Sequence, residues 1–287
     1  MRFLRPLAGL AALLALAGCS GASLLNAVTS RAGYALERNL RYAPGARGTL
    51  DLYVPADVRP DTPLVVFVYG GAWDSGSKDI YRFVGQSLAK AGIAVAVPDY
   101  RLYPEVVFPR FVEDAAKAVA AVEKAGREGT EGLPAGRHPL FLMGHSAGGE
   151  IAGLLATDPR YLRAVGLSKR RLAGFIGLAG PYDFLPLKEE RYKRVFPVET
   201  REDSQPVHFV DGTEPPMLLL AGSDDTTVNP ENTRSLARHV VAKGGTAEAA
   251  ILPGADHIAV LSGLATALPV GERSVRARVL DFIGRHS

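Results

Sequence analysis

Uninterrupted apolar runs recur along this chain and alternate with helical patterns. Each run is four to six residues long and is bounded by turn residues, which is typical of strands buried on both faces of a parallel sheet. Repeated alternation of such strands with helices predicts a doubly wound α/β sheet with right-handed crossovers. The predicted strands are 64–69, 93–97, 140–143, 175–178, 217–221 and 249–252, and the clearest helices are 80–91, 108–124, 148–156, 230–243 and 274–283.

Two further segments complete the predicted architecture. Residues 49–54 alternate polar and apolar side chains and end at Pro55, which predicts an antiparallel strand at the edge of the sheet. Residues 184–213 are charged and contain several prolines, so we expect a short cap-like insertion over the carboxyl edge of the strands, where ligands bind in such folds. No linker divides the chain, and a single catalytic domain is expected over 34–287.

The first 19 residues have the composition of a targeting signal. Arg2 and Arg5 precede an apolar stretch, 7–18, which is too short to cross a hydrocarbon core of about 30 Å but suits a signal peptide. Its end, Leu-Ala-Gly-Cys19, resembles the lipobox of bacterial lipoproteins. That resemblance implies a signal peptide over 1–18 and a lipid on Cys19.

The same resemblance implies a location and a partner. Residues 19–33 would be a lipidated tether, and Ser20 in place of Asp implies the outer membrane, on its periplasmic side, in a cell with two membranes. The membrane would then be a partner through the lipid on Cys19. A plain secretory signal that happens to contain a cysteine is the alternative.

Charge and cysteine content exclude several classes of function. Cys19 is the only cysteine, which rules out an internal disulfide and a cysteine-rich zinc site. The formal net charge is +3, and Arg2 and Arg5 supply two of those charges. No basic run or basic-aromatic stripe stands out elsewhere, so binding to nucleic acid has no electrostatic support.

The sequence G-H-S-A-G-G, residues 144–149, stands between a predicted strand and a predicted helix. G-x-S-x-G in that context predicts a nucleophile elbow, in which Ser146 occupies a strained turn. Gly144 and Gly148 approach each other closely in such a turn and cannot carry side chains. The backbone N–H of Ala147, at the start of the helix, can meet a developing oxyanion. An inert serine in a tight turn is the alternative.

A nucleophilic serine needs a histidine base, and four histidines follow it: His208, His239, His257 and His286. His257 comes shortly after a predicted strand, on the edge of the sheet where Ser146 is expected. His239 lies within a predicted helix, and His286 is the penultimate residue. His208 precedes the candidate acids, whereas acid before base is the usual order in this fold class. His257 is therefore the predicted base.

The acid is less clear from the residues alone. The predicted strand 217–221 leads into a loop that contains both Asp224 and Asp225. Either carboxylate is suitably placed, and loop carboxylates also cap helices. Both candidates stay open at this point.

With these motifs together, residues 50–285 resemble the α/β-hydrolase superfamily in its esterase and lipase branch. Gly222-x-x-Asp225-x-x-Val228 matches the acid loop of that branch, which implies Asp225 as the partner of His257. The segment 98–102 is also similar, and the resemblance implies structural roles for Asp99 and Arg101.

A second motif, Tyr-Gly-Gly-Ala-Trp at residues 69–73, is similar to the H-G-G-x-W motif of these esterases. The similarity implies that the N–H groups of Gly71 and Ala72 join that of Ala147 in an oxyanion hole. Tyr69 departs from the usual histidine. The form is close to that of prenylcysteine methylesterases and kynurenine formamidase-like esterases, and no phosphate-binding glycine motif is present.

These features predict a serine carboxylic-ester hydrolase that acts through an acyl-serine on short-acyl or other small, soluble esters. No metal or organic cofactor is expected. An amidase or formamidase of the same fold is one alternative. A lipid-anchored binding protein without catalysis is another, from a different class.

Overall fold

The computed structural model describes residues 24–287, and a central eight-stranded sheet organises them. Its strands are β1 (Tyr34–Arg41), β2 (Thr49–Pro55), β3 (Leu64–Val68), β4 (Ala94–Pro98), β5 (Leu140–His145), β6 (Leu172–Leu178), β7 (Met217–Gly222) and β8 (Ala247–Leu252). They lie side by side in the order β1-β2-β4-β3-β5-β6-β7-β8. Only β2 runs antiparallel to its neighbours, β1 and β4, and the other pairings are parallel. The predicted doubly wound sheet is confirmed.

Helices connect the strands and flank the sheet. They are α1 (Arg82–Ala89), α2 (Arg110–Glu128), α3 (Ala147–Thr157), α4 (Pro159–Ala164), α5 (Glu190–Val195), α6 (Glu231–Ala242), α7 (His257–Ser262) and α8 (Ser274–Arg285). The five predicted helices correspond to α1, α2, α3, α6 and α8. The helices α4, α5 and α7 have six residues each, too few to show a helical period in the sequence.

The core lies around the central strands. Every residue of β3, β4 and β5 is buried, as the uninterrupted apolar runs predict for a parallel sheet covered on both faces. The last predicted strand differs. We expected 249–252 to be buried on both faces, but that is wrong, because β8 is the final strand of the sheet and only Leu252 of its residues is buried.

The other edge of the sheet also differs from the prediction. Residues 49–54 do form an antiparallel strand, but its expected position at the edge is wrong, since β1 pairs with the outer side of β2. β1 is polar and partly exposed along its length, so no apolar run marks it in the sequence.

The described part of the expected tether contacts the domain. Residues 24–28 are helical, and the side chain of Leu25 is buried in the core. The amide of Asn26 donates to the carbonyl oxygen of Asp79 at 2.6 Å and accepts from the N–H of Phe83 at 3.3 Å. The predicted signal peptide and Cys19 lie outside the described residues. Within 24–287, no helix combines the length and apolar character needed to cross a membrane.

The insertion 184–213 contains α5 and two short 3₁₀ turns. It contacts the loop after β3, because Arg191 forms a salt bridge with Asp74 at 2.8 Å. The ring of Phe196 packs edge-on against the ring of Trp73, with centroids 4.8 Å apart. The insertion therefore covers part of the carboxyl edge of the sheet, as predicted.

Candidate active site

A sharp turn joins β5 to α3 and carries Ser146. The backbone of Ser146 has φ 54° and ψ −128°, a region that a residue with a side chain rarely adopts. A Cβ atom on Gly144 would lie 2.1 Å from the carbonyl oxygen of Gly148. A Cβ atom on Gly148 would lie 2.1 Å from the carbonyl oxygen of Val68. Both glycines are therefore required by the close approach of backbone segments around the serine.

Three loops at the carboxyl edge bring Ser146, His257 and Asp225 into one hydrogen-bonded chain. The Oγ of Ser146 lies 2.9 Å from Nε2 of His257, and Nδ1 of His257 lies 2.8 Å from Oδ2 of Asp225. Because an ionised carboxylate only accepts hydrogen bonds, Nδ1 carries the proton and donates. In the neutral ring Nε2 is then the acceptor, and it faces the serine hydroxyl.

Asp225 is held as an anion by its surroundings. Its Oδ1 accepts hydrogen bonds from the N–H groups of Thr227 and Val228, at 2.9 and 2.8 Å. Burial acts to raise the pKa of this carboxyl, but the hydrogen bonds from His257, Val228 and Thr227 outweigh it and hold the pKa below its ordinary value. Asp225 is therefore ionised near neutral pH and oriented towards His257.

The alternative candidates lie elsewhere. Asp224 is exposed, and its carboxylate accepts from the hydroxyl of Ser223 instead of from a histidine. The other downstream histidines have separate neighbours: Nδ1 of His208 lies 2.9 Å from the carbonyl oxygen of Glu202, Nδ1 of His239 lies 2.8 Å from that of Ser235, and the ring of His286 lies 4.6 Å from that of Phe282.

The glycine-rich loop after β3 lies against the serine. Gly71, Ala72 and Trp73 have consecutive φ values of 141°, 51° and 62°. A Cβ on Gly70 would lie 2.7 Å from the Cβ of Ser146, so the loop backbone passes directly beside it. Among the described residues, the N–H groups of Gly71, Ala72 and Ala147 donate to no protein acceptor.

Tyr69 supports this loop from below. Its hydroxyl donates to Oδ1 of Asp99 at 2.7 Å and accepts from Nη2 of Arg47 at 2.5 Å. The same nitrogen of Arg47 donates to the carbonyl oxygen of Gly76, at the far end of the loop, at 2.9 Å. Burial raises the pKa of Tyr69 well above its ordinary value, so the hydroxyl stays protonated. The departure from histidine therefore places a phenol in a buried network with Arg47 and Asp99.

Asp99 and Arg101, to which the family resemblance gives structural roles, both form hydrogen bonds that join separate segments of the chain. Asp99 accepts from Tyr69 and also from the N–H of Lys78 at 2.8 Å. Arg101 forms a two-point pair with Asp114, at 2.7 and 2.8 Å.

Three residues of the site and its support were missed by the sequence reasoning. Glu150, one turn after Ser146, is buried and accepts a hydrogen bond from Nε1 of Trp73 at 3.0 Å. Its position as a single acid within an apolar helix could have indicated a buried role. His145 lies inside the G-x-S-x-G motif, and its place directly before the predicted nucleophile could have indicated a role in the site. Arg47 lies in the connection between β1 and β2, where nothing in the pattern singles it out.

Aromatic side chains of the insertion enclose Trp73. The ring centroids of Phe184, Tyr192 and Phe196 lie 6.1, 5.7 and 4.8 Å from that of Trp73. Trp73 thus links the glycine-rich loop to the insertion on one side and to α3, through Glu150, on the other.

Comparison with known proteins places the chain among esterases and related hydrolases. The probable isoprenylcysteine alpha-carbonyl methylesterase ICME of Oryza sativa subsp. japonica is 31% identical over 242 residues, which cover 77% of this chain and 57% of the relative. A kynurenine formamidase of Salmo salar is 29% identical over 150 residues, or 52% of this chain and 47% of the relative. The chain spans a little over half the length of the first curated relatives it matches.

A solved structure and a family model complete the comparison. Esterase B from Lactobacillus Rhamnosis (HN001) superposes with a TM-score of 0.74 at 20% identity, covering 96% of this chain and 95% of the other, and so has the same fold. The family model described as BD-FAE matches residues 50–240, well over half of the chain. The chain belongs to the BD-FAE family of α/β-hydrolase esterases.

Proposed function

We propose that this protein is a serine carboxylic-ester hydrolase whose nucleophile is Ser146. The observation that carries the proposal is the hydrogen-bonded chain from Ser146 through His257 to Asp225, with distances of 2.9 and 2.8 Å. A serine, an imidazole and a carboxylate in that order are the parts that acyl transfer requires.

The reaction follows from the tautomer that Asp225 imposes. Ser146 Oγ attacks the ester carbonyl carbon while Nε2 of His257 takes the hydroxyl proton. The resulting imidazolium donates that proton to the leaving alkoxide, which departs as an alcohol and leaves an acyl group on Ser146. A water molecule then attacks the acyl-serine, His257 again accepts and returns a proton, and a carboxylic acid is released.

The negative oxygen of each tetrahedral intermediate needs hydrogen-bond donors. We assign this role to the N–H groups of Gly71, Ala72 and Ala147. The assignment is supported by their lack of an acceptor among the described residues and by the close approach of the Gly70 backbone to Ser146. Loss of one such donor typically lowers kcat by roughly 10²–10³-fold.

We propose small or short-acyl esters as substrates. The insertion 184–213 contributes one six-residue helix, two short 3₁₀ turns and aromatic side chains packed on Trp73, which is a modest cover for the site. The rice relative is a probable methylesterase, which also favours a small alcohol as leaving group. A series of p-nitrophenyl esters of increasing acyl length should show activity falling towards long chains, and a maximum at long chains would contradict this proposal.

Amide hydrolysis is the second candidate, and the match to a kynurenine formamidase favours it. Acyl transfer to Ser146 uses the same groups whether the leaving atom is oxygen or nitrogen. A paired comparison of an ester and an aryl formamide with the same acyl group separates the two, because the preferred substrate has the higher kcat/KM.

We also propose that Cys19 carries a lipid which anchors the protein to the bacterial cell envelope, on the periplasmic side of the outer membrane where the cell has two membranes. Support comes from the apolar run 7–18 followed by Cys19. Palmitate labelling that is lost in Cys19→Ser supports the anchor, and labelling that persists contradicts it.

A fluorophosphonate probe tests the central proposal, because it reacts with serines activated by a neighbouring base. We expect labelling of the full-length wild type and none of Ser146→Ala, together with loss of ester hydrolysis by roughly 10⁶-fold in kcat. Ser168→Ala, at an exposed 3₁₀ cap, is the matched control and should label as the wild type does. Equal hydrolysis by wild type and Ser146→Ala would overturn the proposal.

A further inference from the structure

His145, the residue before Ser146, contacts the proposed base directly. It is buried at the end of β5, and its ring centroid lies 4.7 Å from that of His257. Its Nε2 lies 3.2 Å from the carbonyl oxygen of His257. A carbonyl oxygen only accepts hydrogen bonds, so Nε2 of His145 carries the proton and donates it to this contact.

The other ring nitrogen of His145 is left without a proton. Nδ1 is buried, and among the described residues it has no hydrogen-bond partner. The backbone of the glycine-rich loop closes over it, since a Cβ on Gly70 would lie 3.2 Å from this atom. Of the two ring nitrogens of His145, Nδ1 is therefore buried without a hydrogen bond, and Nε2 makes one, to the backbone of His257.

The contact matters because it reaches the backbone of His257 from β5, the strand that leads to Ser146. β8, which leads to His257, is the partly exposed edge strand, and the chain from Leu252 to Ala255 accepts hydrogen bonds from the N–H groups of Ser223 and Asp224 in the acid loop. Asp256 caps α7 through the N–H groups of Ile258 and Ala259, which ties the loop to its own helix. Within residues 24–287, the bond from His145 is the one that joins β5, the strand leading to Ser146, to the backbone of His257.

His145 is also suited to this contact by its charge. Burial, with a smaller contribution from His257, lowers its pKa to about 3, and Asp225 acts in the opposite direction. His145 is therefore neutral when His257 accepts a proton. Two imidazolium rings 4.7 Å apart would repel each other. Because His145 is neutral, it adds no such repulsion when His257 becomes positively charged during the reaction.

We infer that His145 is a positioning residue, whose Nε2–H fixes the backbone of His257 and so keeps Nε2 of the base in line with Ser146 Oγ. The inference rests on the proposed function of Ser146 and His257. A displacement of about 1 Å between reacting groups can lower a rate by roughly 10²-fold, so one backbone hydrogen bond at this point can have a large effect.

Three substitutions separate the hydrogen bond from packing. His145→Phe keeps a ring against His257 but has no donor. The side-chain amide of Gln reaches the position of Nε2 in His, so His145→Gln can restore the bond. The amide of Asn reaches only the position of Nδ1, so His145→Asn is a polar control that cannot restore it.

In the full-length protein we expect kcat for a p-nitrophenyl ester to fall by roughly 10–10²-fold in His145→Phe and His145→Asn. KM should stay within about 2-fold, and His145→Gln should recover most of the lost kcat, because only the alignment of the base is changed. The Gln and Asn variants keep the test decisive if the Phe variant does not fold. A general loss of stability would affect all three variants without separating Gln from Asn.

The outcomes distinguish this inference from the proposed function. If the wild type shows no hydrolysis that depends on Ser146, the proposed function fails. If the wild type is active by that criterion, but Gln is impaired as much as Asn, or Phe and Asn retain wild-type kcat, the positioning role of His145 is overturned.

Discussion

The indole Nε1 of Trp73 donates a hydrogen bond to Oε2 of the buried Glu150, 3.0 Å away. This bond connects the glycine-rich loop to α3, whose first turn follows Ser146. Ala72 and Trp73 have positive φ angles, a strain of about 1–3 kcal/mol each that persists only where surrounding contacts hold it. The Trp73–Glu150 bond is one of those contacts, and the aromatic rings of the insertion supply others.

Breaking this bond should impair catalysis more than binding. We expect Glu150→Leu and Trp73→Phe each to lower kcat by about 10-fold with little change in KM, because the Ala72 N–H is a proposed oxyanion donor and its displacement would weaken contact with the intermediate but not with the substrate. The two changes combined should be no worse than either alone, as steady-state kinetics of the double variant would show. Glu150→Gln, which keeps the acceptor, is the matched control and should retain activity. Additive losses in the double variant would contradict this prediction.

The protonation state of Glu150 predicts a pH dependence of stability. Burial raises the pKa of Glu150 well above its ordinary value of 4.5. In the unfolded chain the group titrates near that ordinary value, so above it the folded state binds one more proton than the unfolded state. The contribution of Glu150 to stability is therefore fully present below about pH 4.5 and declines as pH rises towards the folded-state pKa.

Replacing Glu150 by a residue that has no titratable proton should remove this decline in stability with rising pH. The free energy of unfolding of Glu150→Gln, relative to wild type, should increase by up to about 1.4 kcal/mol per pH unit as the pH is raised above about 5. Urea unfolding at several pH values measures this difference. Glu150→Leu also has no titratable group at this position. Its free energy of unfolding relative to wild type should therefore change with pH by the same slope, whatever its absolute stability. A difference that does not change with pH would mean that Glu150 is ionised in the folded protein.

The neighbouring aspartates of the acid loop should behave differently. In Asp225→Asn the amide oxygen can still accept from the N–H groups of Thr227 and Val228, which turns the NH₂ group towards His257. Nδ1 must then accept, Nε2 carries the proton, and the ring cannot act as a base towards Ser146. We expect kcat to fall by roughly 10⁴-fold. Asp224→Asn, at an exposed carboxylate, should stay within about 2-fold of wild type, and equal losses in both variants would refute the assignment.

Tyr69 should contribute to stability more than to chemistry. Its hydroxyl lies between the buried Asp99 and the partly buried Arg47, so Tyr69→Phe leaves each of them without one partner and should lower the free energy of unfolding by about 1–3 kcal/mol. We expect kcat of Tyr69→Phe and Tyr69→His to remain within roughly 10-fold of wild type, less than the loss of one oxyanion donor. Thermal unfolding and steady-state kinetics measure the two effects. A collapse of kcat with unchanged stability would instead assign the hydroxyl a part in the reaction.

Local patterns were sufficient for the features that depend on neighbours in the chain. The apolar runs at β3, β4 and β5 predicted buried parallel strands, because a strand covered on both faces excludes polar side chains whatever its partners are. Gly144 and Gly148 predicted a tight turn around Ser146. For Gly144 the steric requirement lies within five residues, whereas Gly148 is restricted by Val68, which is distant in the chain.

Features that depend on strand order and on contacts between distant residues could not be predicted from local sequence patterns. The polar β1 becomes a strand by pairing with β2, and β8 is partly exposed because no strand follows it in the sheet. The residues alone left Asp224 and Asp225 open, and their difference arises from contact with His257, 32 residues away. The contacts of Glu150 and His145 likewise join segments that meet only when the sheet is assembled. A buried polar group takes its protonation state and its partner from groups that surround it in space, and those groups come together only in the folded chain.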